Sequence, residues 1–412
     1  MKRVVITGLG CLTPIGSSVS EFQNALFSGW SGIGPIGVLP EAIDGSNGIR
    51  FNQMAAIPNF DPDVHLTSSV VTATNRTAQY AIVAARQAVK QANLMKHHAA
   101  EDIAVILGCS TGGRSSEEVE TAKLYYRNAR VHPLTVTRTM ASAGASHISI
   151  DLRITGPVFA ITTACASATH AMGLAFQMVR SGAVTAAITG GHEAPLTFGF
   201  LRAWDSIRVV SPTSCRPFAK DRDGMTLGEG AAIFVIETLE SARARNAEIL
   251  GEIVGFGMSA DATHITQPQP SGAARAMRKA LADANSFPEE VGYINAHGTG
   301  TQANDSVEAV AINETFGELG PTIPVSSTKG LHGHSMGATG AVEALATILG
   351  LKEGKLPANA GITTKDQVDP NINLDIILGE PRILDPEKDL ALSNSLAFGG
   401  LNAVLAFRRY TE

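Results

Sequence analysis

The sequence predicts a layered α/β fold, and three observations lead to this prediction. Short runs of β-branched residues alternate with alanine-rich stretches of helical length. Hydrophobic residues make up 44% of the 412 residues and charged residues 17%, which indicates a globular chain with a large buried core. The same succession of a strand, a tight turn with a reactive residue and a helix of small residues also occurs twice in the chain. This repeat is either a duplication or a coincidence. The length allows two domains or one large two-part unit.

The predicted elements form two series along the chain. Strands are predicted at 4–7, 103–108, 157–162, 184–189 and 232–237 in the first series, and at 251–255, 293–296, 324–327, 392–395 and 403–407 in the second. Helices are predicted at 76–92, 166–181, 272–285, 306–315 and 340–352. A charged helical stretch at 238–247 closes the first series. We therefore place a boundary near residue 250, between the halves 1–250 and 251–412.

Cys165 stands at the point where a predicted strand turns into a helix of small residues. Backbone N–H groups and the helix dipole at such a position favour the thiolate, which is the nucleophilic form. The small neighbours leave room for a substrate and allow backbone amides to form an oxyanion hole. Most free cysteines are small core residues, so Cys11, Cys109 and Cys215 are predicted to be structural.

Two histidines lie in glycine-rich settings that suit a side chain projecting from a tight loop into a cavity. His297 is followed by a Gly-Thr-Gly-Thr run, and His334 follows Gly333. Cys165, His297, His332 and His334 would be a legitimate set of zinc ligands, but their spacing matches no short zinc signature. A thiol nucleophile with two imidazoles is therefore the hypothesis, and no metal is expected.

Several classes of protein are excluded by composition. The net charge of −6 and the absence of a basic run argue against nucleic-acid binding. Four cysteines are too few for a disulfide framework, so a reducing cytoplasm is expected. No segment is apolar for long enough to span a membrane. The Gly-Leu-Gly run at 8–10 lacks the third glycine of a dinucleotide site, and no cofactor is expected.

Four motifs together point to a known family. They are Thr-Ala-Cys-Ala-Ser at 163–167, Asn-Ala-His-Gly-Thr-Gly-Thr at 295–301, Ser-Thr-Lys followed by Gly-His at 327–334, and Phe-Gly-Gly at 398–400. With these motifs in this order, the chain resembles the β-ketoacyl-[acyl carrier protein] synthases over essentially its whole length. The resemblance is specifically to the elongating, synthase II-like group. The resemblance implies the thiolase fold, in which two similar halves stack as αβαβα layers, and a homodimer.

The resemblance also implies a mechanism. Cys165 would take an acyl group from a carrier-protein thioester while the backbone N–H groups of Cys165 and Phe398 hold the oxyanion. Malonyl-carrier protein would then lose carbon dioxide. His297 and His334 would stabilise the enolate oxygen from their neutral rings. The carbanion would attack the acyl group and extend it by two carbons.

Further residues take roles from the same resemblance. Lys329 would support the histidines, with Glu343 as its carboxylate partner. The Cys-His-His set separates the chain from initiating synthases, which use Cys-His-Asn. The Phe-Gly-Gly loop lacks the second catalytic cysteine of degradative thiolases.

The substrate channel is assigned in the same way. Thr299 and Thr301 match positions that contact the phosphopantetheine arm. Phe398 resembles the gatekeeper of the acyl pocket, and Asp261 and His264 match a mobile loop beside that gate.

Two departures from the family pattern concern the substrate. Thr111 and Thr135 take pocket positions that are usually bulky and apolar, which suggests an unusual, shorter or unsaturated acyl chain. Residues 51–75, where the acidic carrier usually docks, contain no Lys or Arg, so only Arg76 is left there. Arg202 and Arg208 could supply part of a docking patch.

Fatty-acid elongation is the leading functional hypothesis. The alternative within the same chemistry is a specialised ketosynthase of a polyketide, polyene or modified-lipid pathway. Outside it, the candidates are a cysteine acyltransferase or hydrolase that stops at acyl-Cys165, and a non-catalytic partner subunit.

Overall fold

The computed structural model describes residues 1–37 and 48–411. The strands are β1 (Val4–Leu12), β2 (Gly34–Pro35), β3 (Gln53–Met54), β4 (Ile103–Gly108), β5 (Val158–Ile161), β6 (Ala186–Glu193), β7 (Gly230–Thr238), β8 (Gly251–Ala260), β9 (Val291–Asn295), β10 (Pro324–Ser326), β11 (Lys355–Leu356), β12 (Asp375–Ile376), β13 (Arg382–Ile383), β14 (Leu390–Ala397) and β15 (Leu401–Arg408). The helices are α1 (Val19–Ser28), α2 (Pro62–His65), α3 (Ser68–Ala73), α4 (Arg76–Ala92), α5 (Arg114–Arg127), α6 (Thr135–Thr139), α7 (Ala143–Leu152), α8 (Ser167–Ser181), α9 (Phe198–Ser206), α10 (Leu239–Ala244), α11 (Pro270–Asp283), α12 (Gln302–Phe316), α13 (Lys329–His332) and α14 (Thr339–Glu353).

The main sheet repeats one strand order in its two halves. Within the described residues it has eleven strands in the order β12-β10-β9-β14-β15-β8-β1-β7-β6-β4-β5. Counted outward from the middle of the sheet, the amino-terminal half has the order β1-β7-β6-β4-β5 and the carboxyl-terminal half has the order β8-β15-β14-β9-β10. In both halves the first of these strands along the chain is followed by the fifth, the fourth, the second and the third. Strand β12 is added at the edge of the carboxyl-terminal half. The halves join where Val4 and Ile6 of β1 pair antiparallel with Ile253 and Gly251 of β8. The predicted α/β fold with two similar halves is therefore confirmed.

The helices form layers on both sides of the two half-sheets. Helices α8 and α14 pack on each other and contact strands of both halves, so they form the central layer. Helices α4 and α7 cover the outer face of the amino-terminal half, and α11 and α12 cover that of the carboxyl-terminal half. The result is the αβαβα stack that the family resemblance implied.

Every strand and helix predicted from the sequence is present, although most ends differ by a few residues. The predicted boundary at residue 250 falls in the connection between α10 and β8, and the division into two domains stays a prediction. The sequence analysis did not identify α5, whose charged composition shows no clear apolar stripe. Among the described residues, none of the helices has both the length and the apolar character needed to cross a bilayer.

The same glycine packing occurs in both halves. Gly10 of β1 faces α4, and Gly257 of β8 faces α11. A Cβ atom at Gly10 would lie 2.0 Å from the carbonyl oxygen of Ala84, and one at Gly257 would lie 2.0 Å from that of Ala276. The helix backbones can approach these strands only because both positions lack a side chain. The Gly-Leu-Gly run at 8–10 therefore serves helix–sheet packing.

We expect Gly10→Ala and Gly257→Ala each to lower the free energy of unfolding by about 1–3 kcal/mol or more, because the added methyl group overpacks the strand–helix contact. Chemical denaturation of each variant measures this effect. Gly34→Ala is the matched control, since a Cβ atom at Gly34 would have no neighbour within 4 Å. Equal midpoints for Gly10→Ala, Gly257→Ala and the control would contradict this account.

Candidate active site

Cys165 is presented by a tight turn between β5 and α8. Ala164 has φ of 48°, a left-handed conformation that costs a non-glycine residue about 1–3 kcal/mol. Ser167, the first residue of α8, holds the turn: its hydroxyl accepts from the Thr163 amide at 2.9 Å and donates to the Ala164 carbonyl at 2.6 Å. The turn directs the thiol into a cavity of about 100 Å³.

The resting form of Cys165 is the thiol. Burial raises its pKa to about 11, although the Lys329 ammonium and the backbone N–H groups of Cys165 and Phe398 lower it. The two amides thus lie beside the thiol, and their role as an oxyanion hole stays a prediction. The backbone N–H groups favour the thiolate, as predicted, but desolvation outweighs them and the nearby ammonium, so the pKa of the thiol is raised overall.

Two histidines from separate loops meet the thiol. The ligand atoms of Cys165, His297 and His334 all lie within 4.8 Å of one another, and all three residues are buried. The two imidazole rings are 5.4 Å apart between centroids and nearly perpendicular, at 88°. His297 follows β9, and His334 follows α13. The sequence motifs 295–301 and 327–334 are therefore brought to one point.

The hydrogen bonds of the two rings determine which nitrogen carries the proton. The Met336 amide donates to Nδ1 of His334 at 3.1 Å, and the Lys329 ammonium lies 3.3 Å from Nδ1 of His297. An ammonium group can only donate, so both Nδ1 atoms are acceptors. Burial and then the Lys329 charge lower the pKa of each ring well below its usual value, so both are neutral. Each histidine therefore presents an Nε2–H donor.

One of these donors is conspicuously unpaired. Nε2 of His334 is buried and has no hydrogen-bond partner within the described part of the chain. An unsatisfied buried donor costs free energy, and this one is available to donate to an oxygen that enters the cavity.

Lys329 is held by a buried ion pair. Its ammonium donates to the His297 carbonyl and to Oε1 of Glu343, and both side chains are fully buried. Burial raises the pKa of Glu343 to about 7, an effect that the Lys329 charge opposes. The structure thus pairs the two residues as the sequence analysis predicted.

Two carboxylates that the sequence analysis missed hold the His297 loop. Glu308 accepts from the backbone N–H groups of His297 and Gly298, each at 2.8 Å, and Asp305 accepts from that of Gly300 at 3.2 Å. Both acids are buried on α12, three residues apart and so on one face. The available signal in the sequence was that Asp305 and Glu308 lie on one face of a helix that also contains apolar residues, which would have indicated buried acids.

Phe398 closes one side of the cavity, and Asp261 braces its loop. The backbone N–H of Asp261 donates to the Gly400 carbonyl at 2.9 Å. Its carboxylate accepts from the side-chain amide of Asn402 at 2.7 Å. Phe398 and His264 line the cavity, whereas Asp261 is not among its lining residues. Phe398 and the segment beside it therefore meet, and Asp261 holds the loop through both its backbone and its carboxylate.

Two family profiles match this chain. The profile of the beta-ketoacyl synthase N-terminal domain matches residues 1–242, and that of the beta-ketoacyl synthase C-terminal domain matches residues 250–363. The chain belongs to the β-ketoacyl synthase family.

Similar proteins span its whole length. The 3-oxoacyl-[acyl-carrier-protein] synthase 2 of Staphylococcus aureus strain COL is 42% identical over 419 residues, which cover 99% of each chain. Nodulation protein E of Rhizobium sp. strain N33 is 39% identical over 411 residues, again 99% of each. Among solved structures, the ishigamide ketosynthase/chain length factor has a TM-score of 0.92 at 33% identity and covers 100% of each chain. The thiolase-like fold therefore extends over both halves.

Of the four threonines predicted to bind substrate, two line the cavity of this β-ketoacyl synthase. Thr299 and Thr301 do so, with their hydroxyl oxygens 2.9 Å apart. Thr111 and Thr135 do not line it in the single chain. The Thr111 hydroxyl donates to Glu193 at 2.6 Å, and Thr135 begins the short helix α6. The polar acyl pocket inferred from these two residues stays a prediction.

The same thiol and imidazoles could also supply metal ligands. One sulfur and two nitrogens are the minimum for a catalytic zinc. The Lys329 ammonium next to His297 opposes a second positive charge at this position. That the synthase needs no metal stays a prediction.

The alkylation rate of Cys165 by iodoacetamide is expected to rise about tenfold per unit between about pH 7 and pH 10, because only the thiolate reacts and its pKa is about 11. Peptide mass spectrometry at each pH measures the rate, and Cys165→Ser reports alkylation of the other cysteines. A plateau below about pH 8 would mean that a thiolate–imidazolium pair exists at rest.

Lys329→Met should lower the free energy of unfolding by about 3–5 kcal/mol, because it leaves the buried Glu343 carboxylate unpaired. The double variant Lys329→Met/Glu343→Leu should regain most of this loss. Lys352→Met is the control, because Lys352 lies on the same helix as Glu343 but forms an exposed ion pair, with Glu248 at 2.8 Å. This variant should change the free energy of unfolding by less than about 1 kcal/mol. If chemical denaturation gave Lys329→Met and Lys352→Met the same free energy of unfolding, the role of the buried Lys329–Glu343 pair would be refuted.

Proposed function

We propose that this protein is a 3-oxoacyl-[acyl carrier protein] synthase, which condenses malonyl-carrier protein with an acyl group held on Cys165. One observation carries the proposal. A thiol beside two backbone amides faces two neutral imidazoles, and the hydrogen bonds at Nδ1 leave both Nε2–H groups as donors. Such a site binds two thioester oxygens in succession, one at the amides and one at the imidazoles.

The first step is acyl transfer to the thiol. The acyl-carrier thioester places its carbonyl oxygen at the backbone N–H groups of Cys165 and Phe398, which stabilise the developing oxyanion. Sγ loses its proton and bonds to the carbonyl carbon. The carbon–sulfur bond to the carrier then breaks, and the carrier thiolate takes up a proton. The high resting pKa makes proton loss part of this step.

The second step is decarboxylation and condensation. The malonyl thioester oxygen accepts from Nε2–H of His297 and His334, which stabilise the enolate as the carbon–carbon bond to carbon dioxide breaks. The enolate carbon then attacks the acyl carbon on Cys165. The carbon–sulfur bond to Cys165 breaks, its thiolate regains a proton, and a 3-oxoacyl product two carbons longer leaves on the carrier.

Neutral rings suit this task better than imidazolium ions. A proton transferred from an imidazolium to the enolate oxygen would yield an enol, which is a poorer carbon nucleophile. Burial first, and then the Lys329 charge, keeps both histidines neutral. Donation without full proton transfer retains the nucleophilic enolate.

The proposed partners are an acyl carrier protein and a second subunit. The name of the staphylococcal relative specifies an acyl carrier protein as the substrate carrier. Strand β5 lies at the edge of the sheet and is only half-buried in the single chain. Tyr126, Val136 and Ile150 of the preceding helices are exposed, which favours a subunit interface on this side. We propose a homodimer. A cytoplasmic location fits four cysteines that are all free thiols.

Fatty-acid biosynthesis is the proposed pathway, and a specialised ketosynthase is the second candidate. One observation favours the second. Arg76, which directly follows the arginine-free segment 51–75, is engaged internally, with an ion pair to Glu229 at 3.3 Å and contacts to the rings of Phe60 and Tyr80. The usual carrier-docking charge of an elongating synthase is therefore reduced there. The ishigamide ketosynthase/chain length factor has the same fold.

Intact-protein mass spectrometry with a panel of acyl-carrier proteins, with and without malonyl-carrier protein, tests the function. We expect acylation of Cys165, then release of carbon dioxide and a 3-oxoacyl-carrier product. His334→Ala should slow carbon dioxide release by about 100-fold or more, with a much smaller effect on acylation, because it removes a donor to the enolate.

Cys165→Ala is the control for acylation, and its fold is checked by circular dichroism. Acylation followed by water-driven release without carbon dioxide would identify a hydrolase. No acylation across the panel would support a non-catalytic partner subunit. Equal losses of both steps in His334→Ala would contradict the division of labour.

A further inference from the structure

Part of the cavity wall is an aromatic stack. The rings of Phe398 and Trp204 lie 5.8 Å apart between centroids with their planes at 17°, and both line the cavity around Cys165. Such an offset pair contributes beyond the area it buries. With about 100 Å³, the cavity is well below the size of pockets that hold extended ligands. A long acyl chain therefore has to displace part of this wall.

Trp204 is the fixed member of the pair. It lies on α9, whose first turn is held by the Glu118 carboxylate, which accepts from the backbone N–H groups of Gly199 at 2.9 Å and Phe200 at 3.1 Å. At the other end of α9, Asp205 accepts from Nε of Arg50 at 3.1 Å. The helix that carries the indole is thus held at both ends.

Phe398 is the movable member. It is followed by two glycines with positive φ, Gly399 at 85° and Gly400 at 67°, a backbone that other residues adopt only with strain. The Gly399 amide donates to the Ile265 carbonyl at 2.7 Å, so the loop is attached to the neighbouring segment by its backbone. Rotation of the Phe398 ring away from Trp204 would enlarge the cavity.

We propose that Trp204 is a positioning residue that holds Phe398 closed over Cys165 and so sets which acyl groups the thiol accepts. The stack keeps the Phe398 amide directed at the thiol when the cavity is empty or holds a short acyl group. A long chain gains access only by breaking the stack, and its own contact with the indole replaces part of the lost interaction. The proposal rests on the proposed function only in assigning acyl chains to the cavity.

We call this arrangement, in which Trp204 holds Phe398 closed over Cys165, the latch. Alkyl methanethiosulfonates test the latch without any carrier protein. They convert Cys165 to an alkyl disulfide and release methanesulfinate, so a methyl and a decyl reagent differ only in the chain that enters the cavity. In Trp204→Ala the decyl rate should rise about 2- to 10-fold relative to the methyl rate, which is the effect of losing one aromatic pair. Trp204→Phe, which retains a ring, should stay within about twofold of the wild type.

The methyl reagent reports whether the site is intact. An unchanged methyl rate with a faster decyl rate supports the latch. Equal changes for both reagents, or no change for either, would overturn it. If acyl-carrier proteins fail to acylate Cys165 while the thiosulfonate rates behave as expected, the proposed function fails and the latch stands.

Fluorescence provides a second test that needs no cavity-forming substitution. The sequence contains two tryptophans, and Trp30 is 55% exposed, so Trp30→Phe leaves Trp204 as the reporter. Decyl modification of Cys165 in this variant should shift the Trp204 emission, because the Phe398 ring leaves the indole, whereas methyl modification should not. Cys165→Ala provides the baseline. Identical emission after methyl and decyl modification would exclude movement of the stack.

Discussion

The buried ammonium of Lys329 is the interaction on which the site depends. Its three N–H groups point to the His297 carbonyl, to Nδ1 of His297 and to Glu343, so one group fixes a backbone, a tautomer and an ion pair together. A buried charge requires a buried counter-charge. Because Glu343 comes from α14 in the central layer, the chemistry of the histidines is tied to the packing of the core.

Close packing of small residues makes this arrangement possible. Helices α8 and α14 lie between two half-sheets, and α8 begins two residues after the nucleophile. The same enclosure has a cost. It strains Ala164 and raises the pKa of the Cys165 thiol, so the nucleophile rests in its less reactive form. Burial also keeps both imidazoles neutral, which suits them to donate hydrogen bonds. One physical condition therefore sets the protonation of all three groups.

Local patterns located the elements and the reactive residues, because they depend on neighbours in the chain. The strand-to-helix change around Cys165 and the glycine-framed His297 and His334 could be read from a few residues each. The protonation state of Cys165 could not, since desolvation comes from distant segments. Glu308 and Trp204 escaped notice for the same reason. An acid or an aromatic ring on a helix shows its role only when the facing loop is known.

The sequence by itself determined the layered α/β class and the order of the elements, and it singled out Cys165, His297 and His334, since periodicity, turn residues and motif spacing are local properties. Tertiary structure alone decided which nitrogens donate, which carboxylates hold the His297 loop, and that Thr111 and Thr135 do not line the cavity of the single chain. These depend on distances between segments up to hundreds of residues apart. Hydrogen bonds and desolvation act over a few ångströms, so they are set by the fold that brings the segments together.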